Sequence, residues 1–117
     1  MKVMAGVDVR EYVPALYEHF AAADLAIVQG GGTTTLELTA LKRPFLYFPL
    51  EGHGEQEYAV SERLARHRAG VRMVFSETTP SVLAERALAV IGKPAAYADI
   101  STDGARRAAE LVLELLQ

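Results

Sequence analysis

Short apolar runs alternate along the chain with stretches whose apolar positions recur at helical spacing. Leu25 to Val28 and Phe45 to Phe48 are continuous apolar runs, the form taken by strands of a parallel sheet that is covered on both faces. Val71 to Phe75 is another strand, and Val3 to Val7 is a weaker candidate. Between them the pattern predicts helices. The first opens at Pro14, where the missing N–H is not needed, and it places Val13, Leu16, Tyr17 and Phe20 on one face. The second runs from the threonines at 33–35 toward Pro44, which forbids its continuation. The third covers Gln56 to Arg68, with Gly70 as its left-handed terminator. Thr79 and Pro80 start a fourth helix, which reaches about Ile91 before Gly92 and Pro94. A last helix after Ser101 carries the stripe Ala105, Ala108, Ala109, Val112, Leu115 and Leu116, and this predicts a docked C-terminus. Strands alternating with helices predict an α/β class, specifically a Rossmann-like three-layer α/β/α domain around a parallel sheet.

Composition narrows the function. The chain has 117 residues, half of them hydrophobic, which suits one domain with a real core over residues 1–117. A net charge of -3 from 12 basic and 15 acidic residues supplies no basic patch, so nucleic acid is not an expected partner. No apolar run approaches the roughly 20 residues of a membrane span, and a cytoplasmic protein is the default expectation. The absence of cysteine removes disulfides and thiolate chemistry, and His19, His53 and His67 are too scattered for a metal cluster. Neither a metal nor a cofactor is expected.

The chemistry concentrates in IVQGGGTTTLEL, Ile27 to Leu38, where a strand runs into three glycines and then three threonines. A strand that ends in glycines and feeds a helix places unpaired backbone N–H groups and the positive end of a helix dipole at the carboxyl edge of a parallel sheet. In open α/β sheets ligands gather at that edge. Glycine lets the backbone approach a ligand, and Thr33, Thr34 and Thr35 carry hydroxyls suited both to capping and to binding phosphate. A glycine run can equally be a tight turn, and a threonine only an N-cap. The segment is neither a P-loop nor a G-x-G-x-x-G dinucleotide corner. Glu37 follows about one turn later, within expected reach of the neighbouring sugar hydroxyls of a nucleotide whose phosphates occupy the corner, and Glu55 with Gln56 opens the next helix at the same edge.

Gln29, Gly31, Thr34, Glu37, Pro44, Pro49, Glu55 and Gln56 together resemble the donor-binding signature of the two-domain GT-B glycosyltransferases. The likeness is to the C-terminal domain of enzymes that use UDP-sugars, of the family 1 and family 28 kind, and it covers roughly Val9 to Leu88. The resemblance implies that Gln29, Gly30, Gly31, Gly32, Thr33, Thr34 and Thr35 bind the donor diphosphate. It also implies that Glu37 binds the ribose, that His53, Glu55 and Gln56 face the sugar, and that Tyr12 and Val13 border the base. Gln29 stands where histidine is usual, and the loop from Leu50 to Gly54 is longer than in the plant branch.

The implied reaction is hexosyl transfer from a UDP-sugar to an acceptor, with this domain holding the donor. No residue offers itself as general base, so no catalytic residue is assigned. The resemblance implies a partner N-terminal acceptor domain or subunit and places the chain as the C-terminal half of such a fold, lacking its first strands. A sheet shortened in that way is expected to expose a hydrophobic edge and to self-associate. Two other readings remain at this point: a domain like the sugar-nucleotide 2-epimerases, and a non-catalytic subunit that binds nucleotide or a protein partner.

Overall fold

The computed structural model describes residues 4–117. Three parallel strands, β1 (Ala26–Gln29), β2 (Phe45–Phe48) and β3 (Val71–Arg72), form a sheet in the order β1-β2-β3. Ala26 pairs with Phe45 and Gln29 with Phe48, while Leu46 pairs with Val71. Five α-helices accompany them among the described residues: α1 (Leu16–Ala22), α2 (Gly32–Ala40), α3 (Ser61–His67), α4 (Pro80–Val90) and α5 (Gly104–Leu115). A π-helical stretch, Glu55–Val60, leads directly into α3. The fold is the Rossmann-like α/β arrangement expected from the alternating pattern.

The main core cluster lies on one face of the sheet, the face of Phe45 and Tyr47, while Leu46, which alternates with them along β2, and Met73 are buried outside it. Phe20 from α1, Leu38 from α2, and Val60 and Leu64 from the third helical segment pack against Ala26, Phe45 and Tyr47. Burying side chains of this size stabilises the fold by about 1.5–3 kcal/mol each. Thr35 and Thr39 are buried in the same layer, and each hydroxyl donates to a carbonyl one turn back, Thr35 to Gly31 at 2.8 Å and Thr39 to Thr35 at 2.7 Å. That satisfies the polar atoms without breaking the helix. Along β1 burial alternates, with Ala26 buried and Ile27 half exposed, so this outer strand is not covered on both faces as its apolar run suggested.

Several predicted boundaries move, each for a local reason. Met4 to Val7 form a turn rather than a strand, with the Val7 N–H donating to Met4 O; Val3 lies outside the described residues. Helix α1 begins at Leu16 rather than Pro14, because Ala15 before it is left-handed at φ 50°. Helix α2 stops at Ala40, four residues short of Pro44. Lys42 turns left-handed, and the N–H groups of Lys42 and Arg43 return to Thr39 and Leu38. That is a Schellman closure with lysine in the place usually held by glycine. Helix α3 closes in the same way at Arg68, not Gly70. Gly70 is needed for packing instead: it sits at φ +69°, and a Cβ there would lie 2.4 Å from the Phe45 ring. Strand β3 ends early because, after Met73 donates to Tyr47 O, Phe75 turns back to stack edge-on with Phe48. The start of α4 is as predicted, with Thr79 Oγ1 accepting from the Val82 N–H at 3.2 Å.

The C-terminus departs most from expectation. No residue of α5 is buried: Leu115 is 84 % exposed and Leu116 78 % exposed. The last anchor to the body is the connector before it. There the Tyr97 hydroxyl donates to Arg43 O at 2.8 Å, its ring meets Phe45 edge-on, and Lys42 pairs with Asp99. Beyond that connector the apolar stripe of α5 is not docked among the described residues.

Candidate functional site

The corner between β1 and α2 is built by close backbone packing. The Gly30 N–H donates to Phe48 O at 3.0 Å, and a Cβ on Gly30 would lie 2.8 Å from the Pro49 Cα, so only glycine lets the ends of β1 and β2 approach this closely. Gly31 is the N-cap, extended at φ -66° and ψ 142°, and it has no side chain with which to cap the helix. Consequently the N–H groups of Gly31, Gly32, Thr33 and Thr34 meet no acceptor among the described residues, whereas the Thr35 N–H already donates to Gly31 O. Helix starts normally satisfy these donors with a Ser, Thr, Asp or Asn side chain. Donors left bare in this way, with the positive end of the helix dipole behind them, have the chemistry that suits an anion.

The members of this segment do not share one role. The hydroxyls of Thr33, exposed, and Thr34, half-buried, make no hydrogen bond among the described residues. The Thr35 hydroxyl is fully buried and committed to Gly31 O, and the Gly30 amide is committed to Phe48 O, so neither has a group to offer a phosphate. Gln29 is exposed at the end of β1. Together with Phe48, Pro49, Leu50, Glu51 and Phe75 it lines a mainly apolar cleft of about 450 Å³.

The loop after β2 is tied to the helix that follows it. Gln56 Oε1 accepts from the Leu50 N–H at 2.9 Å, Glu57 Oε2 from the Gly52 N–H at 3.2 Å, and His53 Nδ1 from the Gln56 N–H at 3.4 Å. His53 thus acts as a cap, and the carboxamide oxygen of Gln56 is occupied while its NH2 remains available. Glu55 reaches the corner, since its Oε1 would lie 3.7 Å from a Cβ placed on Gly32. A π-helical turn at this point re-aims the side chains relative to an α-helix, a feature often found at functional sites.

Glu37 lies apart from this group. It lines a groove of about 280 Å³ with Leu36, Ala40 and the segment 100–104, on the flank of α2. Tyr12 is 80 % exposed on the irregular segment before α1, and Val13 beside it is half-buried. The structure therefore brings Glu55 up to Gly31 to Thr34 with Gln29 at the end of the neighbouring strand, ties His53 of the loop to Gln56 of the π-helical stretch, and sets Glu37 in a groove on the flank of α2.

Arg63, on α3, is a residue of the site that the motifs did not reveal. Its guanidinium donates to Gly32 O at 3.0 Å and to Thr35 Oγ1 at 3.3 Å, and its buried Nε has no partner among the described residues. The one signal in the sequence is spacing: Arg63 follows Gln56 by two helical turns and adjoins the core residues Val60 and Leu64.

Residues 2–114 match the family described as the glycosyltransferase family 28 C-terminal domain. The chain belongs to this family. The GT-B resemblance carried by Gln29 through Gln56 is therefore borne out, and with it the Rossmann-like class. Among curated relatives, the chain is 34 % identical over 107 residues to the UDP-N-acetylglucosamine--N-acetylmuramyl-(pentapeptide) pyrophosphoryl-undecaprenol N-acetylglucosamine transferase of Mycobacterium avium. That alignment covers 82 % of this chain and 26 % of the relative. The protein of the same description from Bradyrhizobium is 30 % identical, over 97 % of this chain and 33 % of the relative. An uncharacterized glycosyltransferase of Methanosarcina acetivorans is 32 % identical over 71 % of the chain and 21 % of its own length. This family 28 domain thus spans about a fifth to a third of the length of these relatives. No solved structure gives a significant match. Among the described residues, no helix is long and apolar enough to cross a membrane.

Proposed function

We propose that this domain binds the UDP-sugar donor of a glycosyltransferase that moves a hexosyl group to an acceptor. The observation that carries the reading is the row of four unsatisfied N–H groups, Gly31 to Thr34, at the start of α2, in a chain of the family 28 type. A diphosphate fits those donors, and the free hydroxyls of Thr33 and Thr34 add to them. In the transition state negative charge grows on the departing diphosphate. Donors already fixed in place stabilise it without reorganising, each worth a few kcal/mol, about 3–4 where the geometry is good.

Glu55 beside Gly32 then faces the sugar, where a carboxylate accepts from vicinal hydroxyls but repels phosphate, and so helps to set the direction in which the donor lies. Gln56 offers its NH2 to the same sugar, and Gln29 a neutral amide to the phosphates. Glu37 reaches the ribose if the nucleoside runs along the flank of α2 toward residues 100–104. Tyr12 and Val13 border the base in this reading. The name of the relatives supports a UDP-linked N-acetylhexosamine as donor.

The acceptor and the general base belong to an N-terminal domain or subunit, which is the proposed partner. The outer edge of β1, unpaired among the described residues and with Ile27 half exposed, is the proposed surface for self-association. The test is titration of the purified chain with UDP and with UDP-N-acetylglucosamine, followed by the same titration of Thr34→Ala. The expected result is saturable binding that weakens about tenfold in the variant, one charge-assisted hydrogen bond, with the unfolding midpoint little changed. No saturable binding by the native chain would reject the donor site.

A further inference from the structure

The corner segment Gln29 to Thr35 contains no basic residue, yet a cation stands against its first helical turn. Arg63 reaches across from α3 and donates to Gly32 O and Thr35 Oγ1. No carboxylate forms an ion pair with it among the described residues, and its buried Nε has no acceptor. Glu55 lies near Gly32 but is not one of its partners. Taken alone the placement is unfavourable, because a helix N-terminus carries partial positive charge and repels a cation. A partly buried guanidinium without a counter-ion adds to that cost. An anion bound at the N–H groups of Gly31 to Thr34 reverses the sign of both interactions.

We infer that Arg63 is a positioning residue of the donor site, holding the first turn of α2 in place and contributing the positive charge that the corner segment itself lacks. The inference rests on the proposed donor reading. Arg63 acts through the Gly32 carbonyl and the Thr35 hydroxyl, which in turn hold Gly31, so it need not touch the phosphates. Its charge makes the corner selective for the most highly charged nucleotide of a series. That selectivity favours a diphosphate over a monophosphate independently of any contact to the base.

The experiment measures the affinities of the 117-residue chain for uridine, UMP and UDP by NMR titration at low ionic strength. The native protein is compared with Arg63→Met and Arg63→Lys. For a charge at this range, screened by water, the expected losses in Arg63→Met are about threefold per phosphate group: about tenfold for UDP, about threefold for UMP and none for uridine. Arg63→Lys restores the grading. A purely structural role lowers all three affinities by the same factor, and that result, or no loss at all, overturns the inference while leaving the donor site standing. Native protein that binds no UDP overturns the donor reading itself, and this inference with it. Circular dichroism checks that Arg63→Met is folded. If it is not, Arg63→Gln, which keeps an N–H donor toward Gly32 and loses only the charge, goes through the same series and is judged by the same grading.

Discussion

Thr34 and Thr35 are neighbours of identical chemistry, and the fold gives them opposite fates. Thr35 faces the sheet and spends its hydroxyl on Gly31 O, while Thr34 is half-buried beside the open N–H groups with its hydroxyl unused among the described residues. Tyr97 shows the same economy at the other edge of the sheet, where its hydroxyl donates to Arg43 O and its ring closes over Phe45. Burial pushes the Tyr97 phenol above its ordinary value of 10.0, because the phenolate would lose its water. The folded state therefore keeps a proton that the unfolded chain releases. The resulting stabilisation is intact below pH about 10 and is lost as pH rises through the raised folded value. Tyr97→Phe is expected to lower stability by about 1 kcal/mol at neutral pH, from the lost hydrogen bond. Above pH 10 its unfolding temperature is then expected to fall less steeply than that of the native protein. Parallel alkaline profiles for the two would mean that Tyr97 does not carry the effect. Residue types and spacing made the corner legible in the sequence, but not which threonine turns inward, because that depends on the angle at which α2 meets β1. Arg63 was invisible for a related reason: it lies 31 residues from its hydrogen-bond partner, Gly32, and no local pattern connects two neighbouring helices so far apart in the chain.

At the scale of elements, local signals with a fixed stereochemistry were the most readable. Phe45 to Phe48 forms β2 as read, and Thr79 with Pro80 starts α4 as read. Helix ends were less so, since Lys42 and Arg68 adopt the left-handed conformation in place of glycine. Their two Schellman closures satisfy carbonyls of α2 and α3 and so offset the strain of a side chain at positive φ. Gly70 has the opposite logic, being required by a neighbour rather than by a helix end. Gly70→Ala combines a left-handed alanine with an overlap on the Phe45 ring, which is 1 % exposed. A loss of about 2–4 kcal/mol in urea unfolding is expected. A change below about 0.5 kcal/mol, the range of ordinary surface substitutions, would show that β2 and the connector shift freely to make room.

For the whole molecule, the sheet and its covering helices form the body, and α5 stands off it, giving principal extents of 59 × 29 × 28 Å. Amphipathic periodicity announced α5 correctly as a helix but could not say whether a surface exists to receive its stripe. Docking needs a second apolar face set against the stripe, and among the described residues none covers it, since every residue of α5 stays unburied. Deleting residues 104–117 is therefore expected to leave the unfolding free energy from urea titration unchanged to within about 0.5 kcal/mol. A loss of several kcal/mol would mean that α5 packs on the body after all. The central claim is that a nucleoside diphosphate sits on the bare N–H groups where β1 turns into α2. The most direct measurement follows the backbone amide resonances of the ¹⁵N-labelled chain during titration with UDP. Saturable shifts are expected to be largest at Gly31, Gly32, Thr33 and Thr34, with Gly30 and Thr35, whose amides are already bonded, moving less. Shifts confined to other parts of the chain, or none, would contradict it.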